Sequence, residues 1–324
     1  MTTKIEELLQ RADQRRRAFL QQNHRNAWRL VNGPADGAPA GLSVDRYCDY
    51  IVLNIRSSVS QSQRNAWAQT LWDFYAPTGL ILKTWAQKIG DSRSELLFGS
   101  FPREPFVVQE GNVSLLCELG SEMPTGLYLD LHEVRNWLGS QVAKAEVLNL
   151  FSYTCSFSVH AAVGGARRVT SVDVAKRALN RGRDSMALNQ LSPDNHRWFA
   201  DDVLTFLKRS RIREDKYDWI ILDPPAFGRA GKKTFELRRD LDRLLEDTVA
   251  LLSDKGRLLL SIHTAGFHPE ELEVTLSQKA KKQGKLVKTL YSFGLPESDH
   301  PVLGTSRGDR GDYLQVLVVE VNSA

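Results

Sequence analysis

The pattern of apolar and polar positions divides the chain into three stretches. Over residues 4–22, apolar side chains recur at helical spacing among arginines, which predicts an amphipathic helix with a basic face in a leader segment, residues 1–27. Residues 28–124 carry short apolar runs bounded by turn residues, which predict a small α+β domain with one helix at 64–75. Its predicted strands are 42–46, 50–55, 80–84, 106–109 and 113–119.

From residue 125 to the C-terminus, apolar runs alternate with amphipathic helical patterns. This alternation predicts an α/β domain, residues 125–324, whose mostly parallel sheet is covered by helices on both faces. The predicted strands are 146–150, 168–172, 197–200, 219–223, 257–261, 286–290 and 314–321. The predicted helices are 130–142, 156–163, 175–188, 203–208, 235–252 and 269–283. Because no helix separates the last two strands, the final strand is expected to be antiparallel.

The composition, with 42% hydrophobic and 25% charged residues, is that of an ordinary soluble globular protein. No apolar run approaches the roughly 20 residues that span a bilayer, and the N-terminus has no signal-peptide core. We therefore expect a cytoplasmic protein that does not associate with membranes. The three cysteines, Cys48, Cys117 and Cys155, lack metal-ligand spacing, so free thiols and no metal site are expected.

Basic residues cluster in two places, and this placement is more informative than the net charge of +4. One cluster lies before residue 30, and the second directly follows the sequence Asp223-Pro-Pro. The members of the second cluster are Arg229, Lys232, Lys233, Arg238, Arg239 and Arg243. Taken singly, each cluster is more often a solvated face. Basic side chains beside a candidate catalytic loop nevertheless favour a polyanionic partner.

Polar residues stand at the ends of the first four predicted strands of the sheet. The first strand leads into the polar turn 149–157, whose backbone N–H groups can hold a polar ligand group. Asp173 ends the second strand, where it can either accept the hydroxyls of a ribose or cap the next helix. After the third strand, one of Asp201 and Asp202 can cap a helix while the other, or a neighbour, binds an adenine amino group. Asp223 ends the fourth strand, and two prolines force the chain to turn there.

Capping alone does not readily account for four polar strand ends in sequence. In an open α/β sheet the carboxyl ends of the first, second and fourth strands converge on one crevice, where such folds hold their ligands. The first loop contains no Gly-x-Gly-x-x-Gly, which counts against a dinucleotide. The pattern therefore predicts a nucleoside-containing ligand other than a dinucleotide.

The order of these residues resembles the class I S-adenosylmethionine-dependent methyltransferases, specifically those that methylate bases of large-subunit ribosomal RNA. The resemblance rests on Phe151-Ser-Tyr-Thr154, Asp173, Asp202 and Asp223-Pro-Pro-x-Phe227, and it extends to residues 29–33, 41–47, 125–130 and 299–301. It implies a Rossmann-like sheet, S-adenosylmethionine as cofactor, and an RNA substrate recognised in part by the 28–124 domain. The cofactor-binding residues that it implies are Asn149, Phe151, Ser152, Tyr153, Thr154, Asp173, Val174, Asp202, Val203 and Asp223.

Two features depart from the family pattern. Members that form 5-methylcytosine carry an N-terminal RNA-binding domain of the PUA type, and residues 1–27 are too few for one, so substrate reading is expected to differ. Cys155 stands in the first loop where the family usually has glycine. A glycine at such a position indicates backbone strain or close approach, so Cys155 bears directly on the geometry that this loop can adopt.

The acceptor atom can be argued from the cysteines. Cytosine C5 becomes nucleophilic only after a thiolate adds at C6, and in the resembling cytosine enzymes that cysteine follows the fifth strand. Here residues 260–266 contain no cysteine. A ring nitrogen such as guanine N7 has its own lone pair, while an exocyclic amine can donate hydrogen bonds to Asp223 and the Pro224 carbonyl. Because the resemblance includes cysteine-free relatives that act on guanine N7, a nitrogen acceptor on an RNA base is expected.

The expected catalytic residues are Asp223, Pro224, Phe227 and His263. Phe227 can stack on an extruded base or can be a core aromatic, with equal weight, and His263 can be a general base or a histidine bonded to nearby backbone. The residues expected to bind the substrate are Arg229, Lys232, Lys233, Arg239 and, on the resemblance alone, His300.

Other functions stay open at this point. A methyltransferase of the same fold that acts on a small molecule or a protein would show weak salt dependence of substrate binding. A non-catalytic RNA-binding factor that retains the fold would fail to bind the cofactor. A nicotinamide dehydrogenase ranks third because the glycine fingerprint is missing. The oligomeric state is also open, and a homodimer is one option.

Overall fold

The computed structural model describes residues 2–56, 59–85, 92–120, 125–231, 233–264, 266–303 and 313–323. The chain forms two compact units. Unit 1 comprises residues 1–133 and 296–311, and unit 2 comprises residues 134–295 and 312–324. Lys232, one of the expected substrate residues, lies outside the described residues.

Unit 1 combines two helices with a five-stranded sheet and a separate hairpin. The helices are α1 (Thr2–Asn23) and α2 (Gln61–Tyr75), and the strands are β1 (Ala27–Asn32), β2 (Leu42–Tyr47), β3 (Tyr50–Ile55), β4 (Gly79–Trp85), β5 (Ser92–Gly99), β6 (Phe106–Glu110) and β7 (Val113–Cys117). The sheet has the order β1-β2-β3-β4-β5, and β6 pairs with β7. Only β3 and β4 run parallel within the five-stranded sheet, because α2 provides the crossover between them.

The two helices of unit 1 form as their sequences predict. Helix α1 buries Ile5, Leu8 and Leu9 in a core shared with the strands, so its apolar stripe packs against the sheet. Helix α2 starts at a capping box in which Ser60 and Gln63 exchange side-chain and backbone hydrogen bonds. The pattern did not predict strands β1 and β5, which pair at opposite edges of the sheet.

One arginine of the predicted basic face of α1 is buried instead of facing solvent. The Arg16 guanidinium donates to the Arg29 carbonyl at 2.6 Å, to the Asp36 carboxylate at 2.7 Å and to the Asp299 carbonyl at 2.9 Å. Because a buried guanidinium must have its donors satisfied, this arginine holds unit 1 together. The basic face of the leader helix is therefore smaller than the sequence predicts.

The rest of the chain forms the predicted alternation of helices and strands. The helices are α3 (His132–Gly139), α4 (Ser156–Val163), α5 (Lys176–Leu188), α6 (Val203–Ile212), α7 (Leu237–Leu251) and α8 (Pro269–Lys281). The strands are β8 (Glu146–Leu150), β9 (Arg168–Asp173), β10 (Arg197–Ala200), β11 (Tyr217–Leu222), β12 (Phe227–Ala230), β13 (Lys233–Glu236), β14 (Leu252–Ile262), β15 (Lys285–Phe293) and β16 (Gln315–Ser323).

Unit 2 is built on a seven-stranded sheet in the order β10-β9-β8-β11-β14-β16-β15. The first five of these strands are parallel, and β16 is antiparallel to both β14 and β15, which confirms the prediction for the final strand. The core lies between the sheet and its helices and includes Leu148, Ile220 and Leu260, all fully buried. The predicted mixed α/β sheet is thereby confirmed.

Two predicted helices of unit 2 are too long. The helix predicted at 235–252 begins only at Leu237, because the residues before it pair as the β12–β13 hairpin, which the pattern did not predict. Four-residue strands joined at Gly231, which has φ +60°, give too few alternating positions to stand out from a neighbouring helix. The helix predicted at 130–142 covers only His132–Gly139, preceded by a 3₁₀ turn.

Candidate active site

The register of the parallel strands places the predicted polar ends along one edge of the unit 2 sheet. Leu150 at the end of β8 pairs with Val172 of β9 on one side and with Leu222 of β11 on the other. Asp173 at the end of β9 pairs with Ala200 at the end of β10. The loops that follow β8, β9, β10 and β11 therefore start side by side, as the sequence predicts.

The loop after β8 has an unusual backbone. Phe151, Tyr153 and Cys155 all have positive φ, at 56°, 45° and 62°, although none is a glycine. Each left-handed residue of this kind costs on the order of 1–2 kcal/mol, and such strain is concentrated at functional sites. The Ser152, Tyr153 and Cys155 N–H groups donate within the chain, to the Val172 carbonyl, the Asp173 carboxylate and the Ser152 carbonyl. The strain therefore marks the loop as a candidate site, and these three N–H groups help to hold its shape.

Cys155 occupies the left-handed position that a glycine adopts most easily, which explains why the resembling family has glycine there. The cysteine is accommodated by Gly182 of α5, since a Cβ at residue 182 would lie 2.5 Å from the Cys155 Cβ. Burial raises the pKa of the Cys155 thiol to about 12. This cysteine is a neutral packing group and not a nucleophile.

The Asp173 carboxylate accepts hydrogen bonds from the loop after β8 and from the residue that precedes α5. One carboxylate oxygen accepts a hydrogen bond from the Tyr153 N–H at 2.8 Å, and the other accepts one from the Ala175 N–H at 2.8 Å. Burial raises the pKa of Asp173, although these backbone donors act in the opposite direction. Its neighbour Val174 exposes 49% of its surface, so an apolar side chain stands open beside the carboxylate. Asp173 is not the N-cap of α5, which is Ala175 and has no side-chain cap, so the capping alternative to the ribose role is not what the structure has. The carboxylate oxygens retain further lone pairs.

Asn149 is one of three buried polar residues that are linked by hydrogen bonds, together with Ser158 and Ser171. Its side-chain amide donates to Ser158 Oγ at 2.8 Å, and Ser158 Oγ lies 2.8 Å from Ser171 Oγ. The Asn149 Oδ1 atom is buried and accepts no hydrogen bond within the described part of the chain. Because an unmet buried acceptor is costly, this oxygen is suited to a donor on a bound molecule.

Asp202 caps helix α6. Its Oδ1 atom accepts hydrogen bonds from the Thr205 N–H at 3.0 Å and the Thr205 hydroxyl at 2.5 Å, and it lies 3.4 Å from Lys233 Nζ. These contacts use Oδ1 and leave Oδ2 to accept a further bond. The Val203 side chain is buried in the core, so Val203 can reach a ligand only through its backbone. The structure thus identifies Asp202 as the cap of α6, and its second carboxylate oxygen leaves the predicted contact with an adenine amino group possible for the same residue.

Asp223 and His263 meet at the same edge of the sheet. Asp223 follows β11, His263 follows β14, and the His263 Nε2 atom lies 3.4 Å from Asp223 Oδ1. Both side chains are partly exposed, at 18% and 24%. The Tyr313 ring lies 6.4 Å from the His263 ring, centroid to centroid. The predicted pair of acceptor residues is therefore brought together, with a tyrosine beside it.

Sequence reasoning missed Tyr313. The signal was present, because this residue immediately precedes the predicted final strand, 314–321, and lies two residues before β16, and that strand was predicted to be antiparallel. An antiparallel strand starts at the edge where its parallel neighbours end. The residue before it therefore lies near the ends of the parallel strands.

The residues after Asp223 form an exposed, basic hairpin. Phe227 opens β12 and exposes 41% of its surface, which favours stacking on a ligand over a place in the core. Pro224 is buried, and Arg229 and Lys233 are exposed. Arg239 is half-exposed and donates to the Asp240 carboxylate and the Thr234 carbonyl. The expected substrate side chains of this segment thus lie on one continuous stretch of chain.

His300 does not share this environment. It belongs to unit 1, is 1% exposed, and its Nδ1 atom lies 2.8 Å from Asp299 Oδ1. Burial acts to raise the pKa of Asp299, but His300, His132 and Arg25 outweigh it and hold that pKa well below its usual range. A side chain so enclosed is suited to an internal ion-pair network and not to contact with an acceptor, so His300 has no part in the function proposed below.

Comparison with known proteins identifies the family. A family model described as S-adenosylmethionine-dependent methyltransferase matches residues 60–293, which is more than half of the chain. The chain belongs to this family. A solved structure of a provisionally assigned methyltransferase in complex with S-adenosylhomocysteine superposes with a TM-score of 0.88 at 29% identity, covering 98% of this chain and 81% of that one.

Two curated relatives are similar over nearly the whole methyltransferase chain. The Bacillus subtilis protein YwbD, whose name assigns it provisionally to the ribosomal RNA large subunit methyltransferases, is 30% identical over 318 residues, covering 96% of this chain and 79% of that protein. Ribosomal RNA large subunit methyltransferase I of Aeromonas hydrophila is 31% identical over 317 residues, with the same coverage. The similarity therefore extends beyond the residues of the family model.

The residues of this methyltransferase fit S-adenosylmethionine, which carries an activated methyl group on its sulfonium. The unmet Asn149 Oδ1 suits a donor of the polar amino-acid portion. Asp173 can accept from the ribose, the open Val174 side chain can pack on a purine, and Asp202 Oδ2 can accept from its amino group.

Membrane and metal associations find no support in the described residues. None of the helices in the described ranges is long and apolar enough to cross a bilayer. Among the same residues, no three His, Cys, Asp or Glu side chains are grouped so that they could hold a metal ion.

Proposed function

We propose that this methyltransferase modifies a nitrogen atom of a base in large-subunit ribosomal RNA and that it acts in the cytoplasm. The names of the similar proteins supply the RNA class. The exposed Phe227 and the basic hairpin that follows Asp223 supply features that RNA binding needs, namely a stacking surface and positive charge. Recognition of the RNA is assigned in part to residues 28–124.

The observation that carries the nitrogen acceptor is the state of the three thiols. Carbon methylation at cytosine C5 requires a thiolate, and a reactive thiolate has a lowered pKa. Burial raises the pKa of Cys155 to about 12 and also raises that of Cys48, while Cys117 is fully buried in unit 1. The chain therefore offers no activated thiol, and a nitrogen acceptor needs none.

The geometry at the sheet edge suits an exocyclic amine. Such an amine can donate hydrogen bonds to the Asp223 carboxylate and the Pro224 carbonyl, which aligns its lone pair for in-line attack. As the new N–C bond forms, the nitrogen gains positive charge and must lose a proton. His263 lies 3.4 Å from Asp223 and can accept that proton. A ring nitrogen such as guanine N7 would need only the alignment.

Charge on the hairpin would hold the RNA backbone near this edge. Arg229, Lys233 and Arg239 all reach solvent on the segment that follows Asp223. Phosphate contacts from such side chains fix position without reading sequence. Phe227 would then stack on the base that is lifted from its neighbours.

The test is transfer of a labelled methyl group from S-adenosylmethionine to unmodified large-subunit ribosomal RNA, followed by nucleoside analysis. Asp223→Ala is the inactive comparison, and Asp194→Ala, at a surface carboxylate that pairs with Arg183, is the matched control. We expect an N-methylated nucleoside with the wild type and with Asp194→Ala, and a loss of about 10²–10³-fold with Asp223→Ala.

Three other outcomes would contradict parts of the proposal. Formation of 5-methylcytosine would overturn the argument from the thiols. Cofactor binding without RNA labelling would favour a small-molecule or protein acceptor. Equal activity of wild type and Asp223→Ala would remove Asp223 from the catalytic site.

A further inference from the structure

The β12–β13 hairpin contacts the candidate site of unit 2 at two places, the loop after β8 and the start of α6. At its base, Phe227 pairs with Glu236, and the Leu237 N–H donates to the Ala226 carbonyl at 3.0 Å. On its buried side, the Phe235 ring packs against the Phe151 ring with the centroids 5.0 Å apart. Near its turn, Lys233 Nζ lies 2.6 Å from Thr205 Oγ1. One short ribbon therefore contacts both the loop after β8 and the start of α6.

The contacts at the turn converge on the carboxylate assigned to the adenine amino group. Lys233, the Thr205 hydroxyl and the Thr205 N–H all approach the same oxygen, Asp202 Oδ1. With that oxygen engaged, Oδ2 is the atom left for a ligand. The lysine thus fixes the orientation of Asp202 from the hairpin side.

We propose that Lys233 is a positioning residue that couples cofactor binding to acceptor binding through this hairpin. The inference rests on the proposed RNA function and goes beyond it. When Asp202 is held by the adenine group, Lys233 is held with it, and the hairpin loses freedom. Phe227 belongs to the same ribbon, so the stacking surface for the base becomes fixed at the same time.

The physical basis is that an isolated two-stranded ribbon is only marginally stable. The position of the β12–β13 hairpin therefore depends on its contacts with the rest of unit 2, which include the Phe235 ring on Phe151, the Arg239 hydrogen bond to the Thr234 carbonyl and the polar contacts of Lys233. Among these three, the contacts of Lys233 are the ones that reach Asp202, and their removal leaves the other two in place. The cofactor then no longer influences Phe227, and binding of the RNA becomes independent of the cofactor.

The experiment measures the affinity of unmodified large-subunit ribosomal RNA with and without saturating S-adenosylhomocysteine. A coupling factor of about five-fold is expected for the wild type, at the scale of one exposed ion pair and the low end of site-to-site coupling. Lys233→Met should reduce the factor to below about two-fold, and because the factor is a ratio of two affinities, the loss of one phosphate contact, which weakens RNA binding with and without cofactor alike, cancels from it. Lys233→Arg should keep most of the coupling, and Lys208→Met, which removes an exposed lysine of the same helix that carries Thr205, should keep all of it.

The outcomes separate this inference from the proposed function. Lys233→Met with a wild-type coupling factor, or Lys208→Met with an equal loss, would overturn the role of Lys233. Wild-type RNA binding that does not respond to S-adenosylhomocysteine would overturn the coupling alone. Absence of RNA binding under both conditions would overturn the proposed RNA function and the coupling with it. Reciprocity gives a check, since RNA should tighten S-adenosylhomocysteine by the same factor.

Discussion

Two histidine–aspartate pairs in this chain differ in one physical respect. In unit 1, His300 and Asp299 lie 2.8 Å apart with both side chains fully enclosed. In unit 2, His263 and Asp223 lie 3.4 Å apart with both side chains partly open to solvent. Sequence reasoning placed His263, Asp223 and His300 together at the acceptor. The structure assigns the two pairs to different units and gives them different surroundings.

The difference in burial distinguishes a pair that stabilises the fold from a pair that can contact a ligand. Asp299 is surrounded by Arg25 at 3.5 Å, by His132 at 3.9 Å and by His300, so its carboxylate is enclosed by groups of the protein itself. Asp223 has His263 beside it and lone pairs left over for a ligand. The enclosed pair has almost no exposed surface to offer a substrate, whereas the open pair can form a hydrogen bond with one. The predictions below test this division.

The largest expected effect is on stability at the closed pair. Asp299→Asn should destabilise unit 1 by about 3 kcal/mol, because it removes the nearer of the two carboxylates that face the buried Arg25 guanidinium, Asp299 at 3.5 Å and Glu110 at 4.0 Å. Asp223→Asn, at the open pair, should change stability by less than about 1 kcal/mol. Both changes in the free energy of unfolding are measured by denaturant unfolding, with hydrogen exchange used to follow each unit separately. Equal destabilisation by the two variants would contradict the division between the pairs.

The closed network should also make unit 1 sensitive to acid. Burial, assisted by Arg25, lowers the pKa of His132 from 6.5 to about 4. The unfolded chain therefore binds a proton that the folded chain refuses, and stability is lost as pH falls from about 6.5 toward 4, by up to about 3 kcal/mol.

Substitution at His132 tests this pH dependence. His132→Gln should flatten the dependence of unit 1 stability between about pH 6.5 and 4.5, measured by denaturant unfolding at several pH values. His24→Gln, at an exposed histidine of the same unit, is the matched control. An unchanged slope in His132→Gln would show that another group carries the proton.

The sequence predicted the order and ends of the parallel strands well because each rests on local signals. Strand β8 and helix α4 have the predicted bounds, and Asp173, Asp202 and Asp223 follow strands whose apolar runs are unambiguous. What failed depends on tertiary contacts. The burial of Arg16 follows from partners distant in sequence, the Asp36 carboxylate and the Asp299 carbonyl, and no local pattern encodes such a pairing. His300 is buried beside its sequence neighbour Asp299, which in turn contacts the distant Arg25 and His132.

The backbone of the first loop could be predicted only in part. The family glycine at the position of Cys155 indicated an unusual conformation, and the structure has φ +62° there. The space that admits a cysteine is created by Gly182 on another helix, which only the fold brings close. The β12–β13 hairpin was missed for a similar reason, because its attachments at Phe151 and Thr205 are distant in sequence.

A smaller effect is expected on catalysis at the open pair. His263→Gln should lower the methyl-transfer rate about 10–100-fold and alter its pH profile, because the histidine accepts the proton of an amine acceptor. Affinity for S-adenosylhomocysteine should stay within about two-fold, since His263 is assigned to the acceptor side. Single-turnover rates across pH measure the first effect and calorimetry the second. A rate loss below about three-fold would favour a ring nitrogen, which has no proton to lose.

The smallest expected effect is at Arg239, an exposed arginine of unit 2, in contrast to the enclosed Arg25 of unit 1. Arg239 bonds to Asp240 at the surface, so solvent screens that pair and Arg239→Gln should leave the unfolding transition unchanged. If Arg239 also contacts a phosphate, the slope of log affinity against log salt for ribosomal RNA should become shallower by about one. Arg167→Gln removes a similar arginine, paired with Glu146 at the start of β8 and so at the opposite edge of the sheet, and should leave the slope intact. If both variants reduce the slope equally, the effect comes from the net charge and not from one contact. If neither variant reduces it, the phosphates do not contact Arg239.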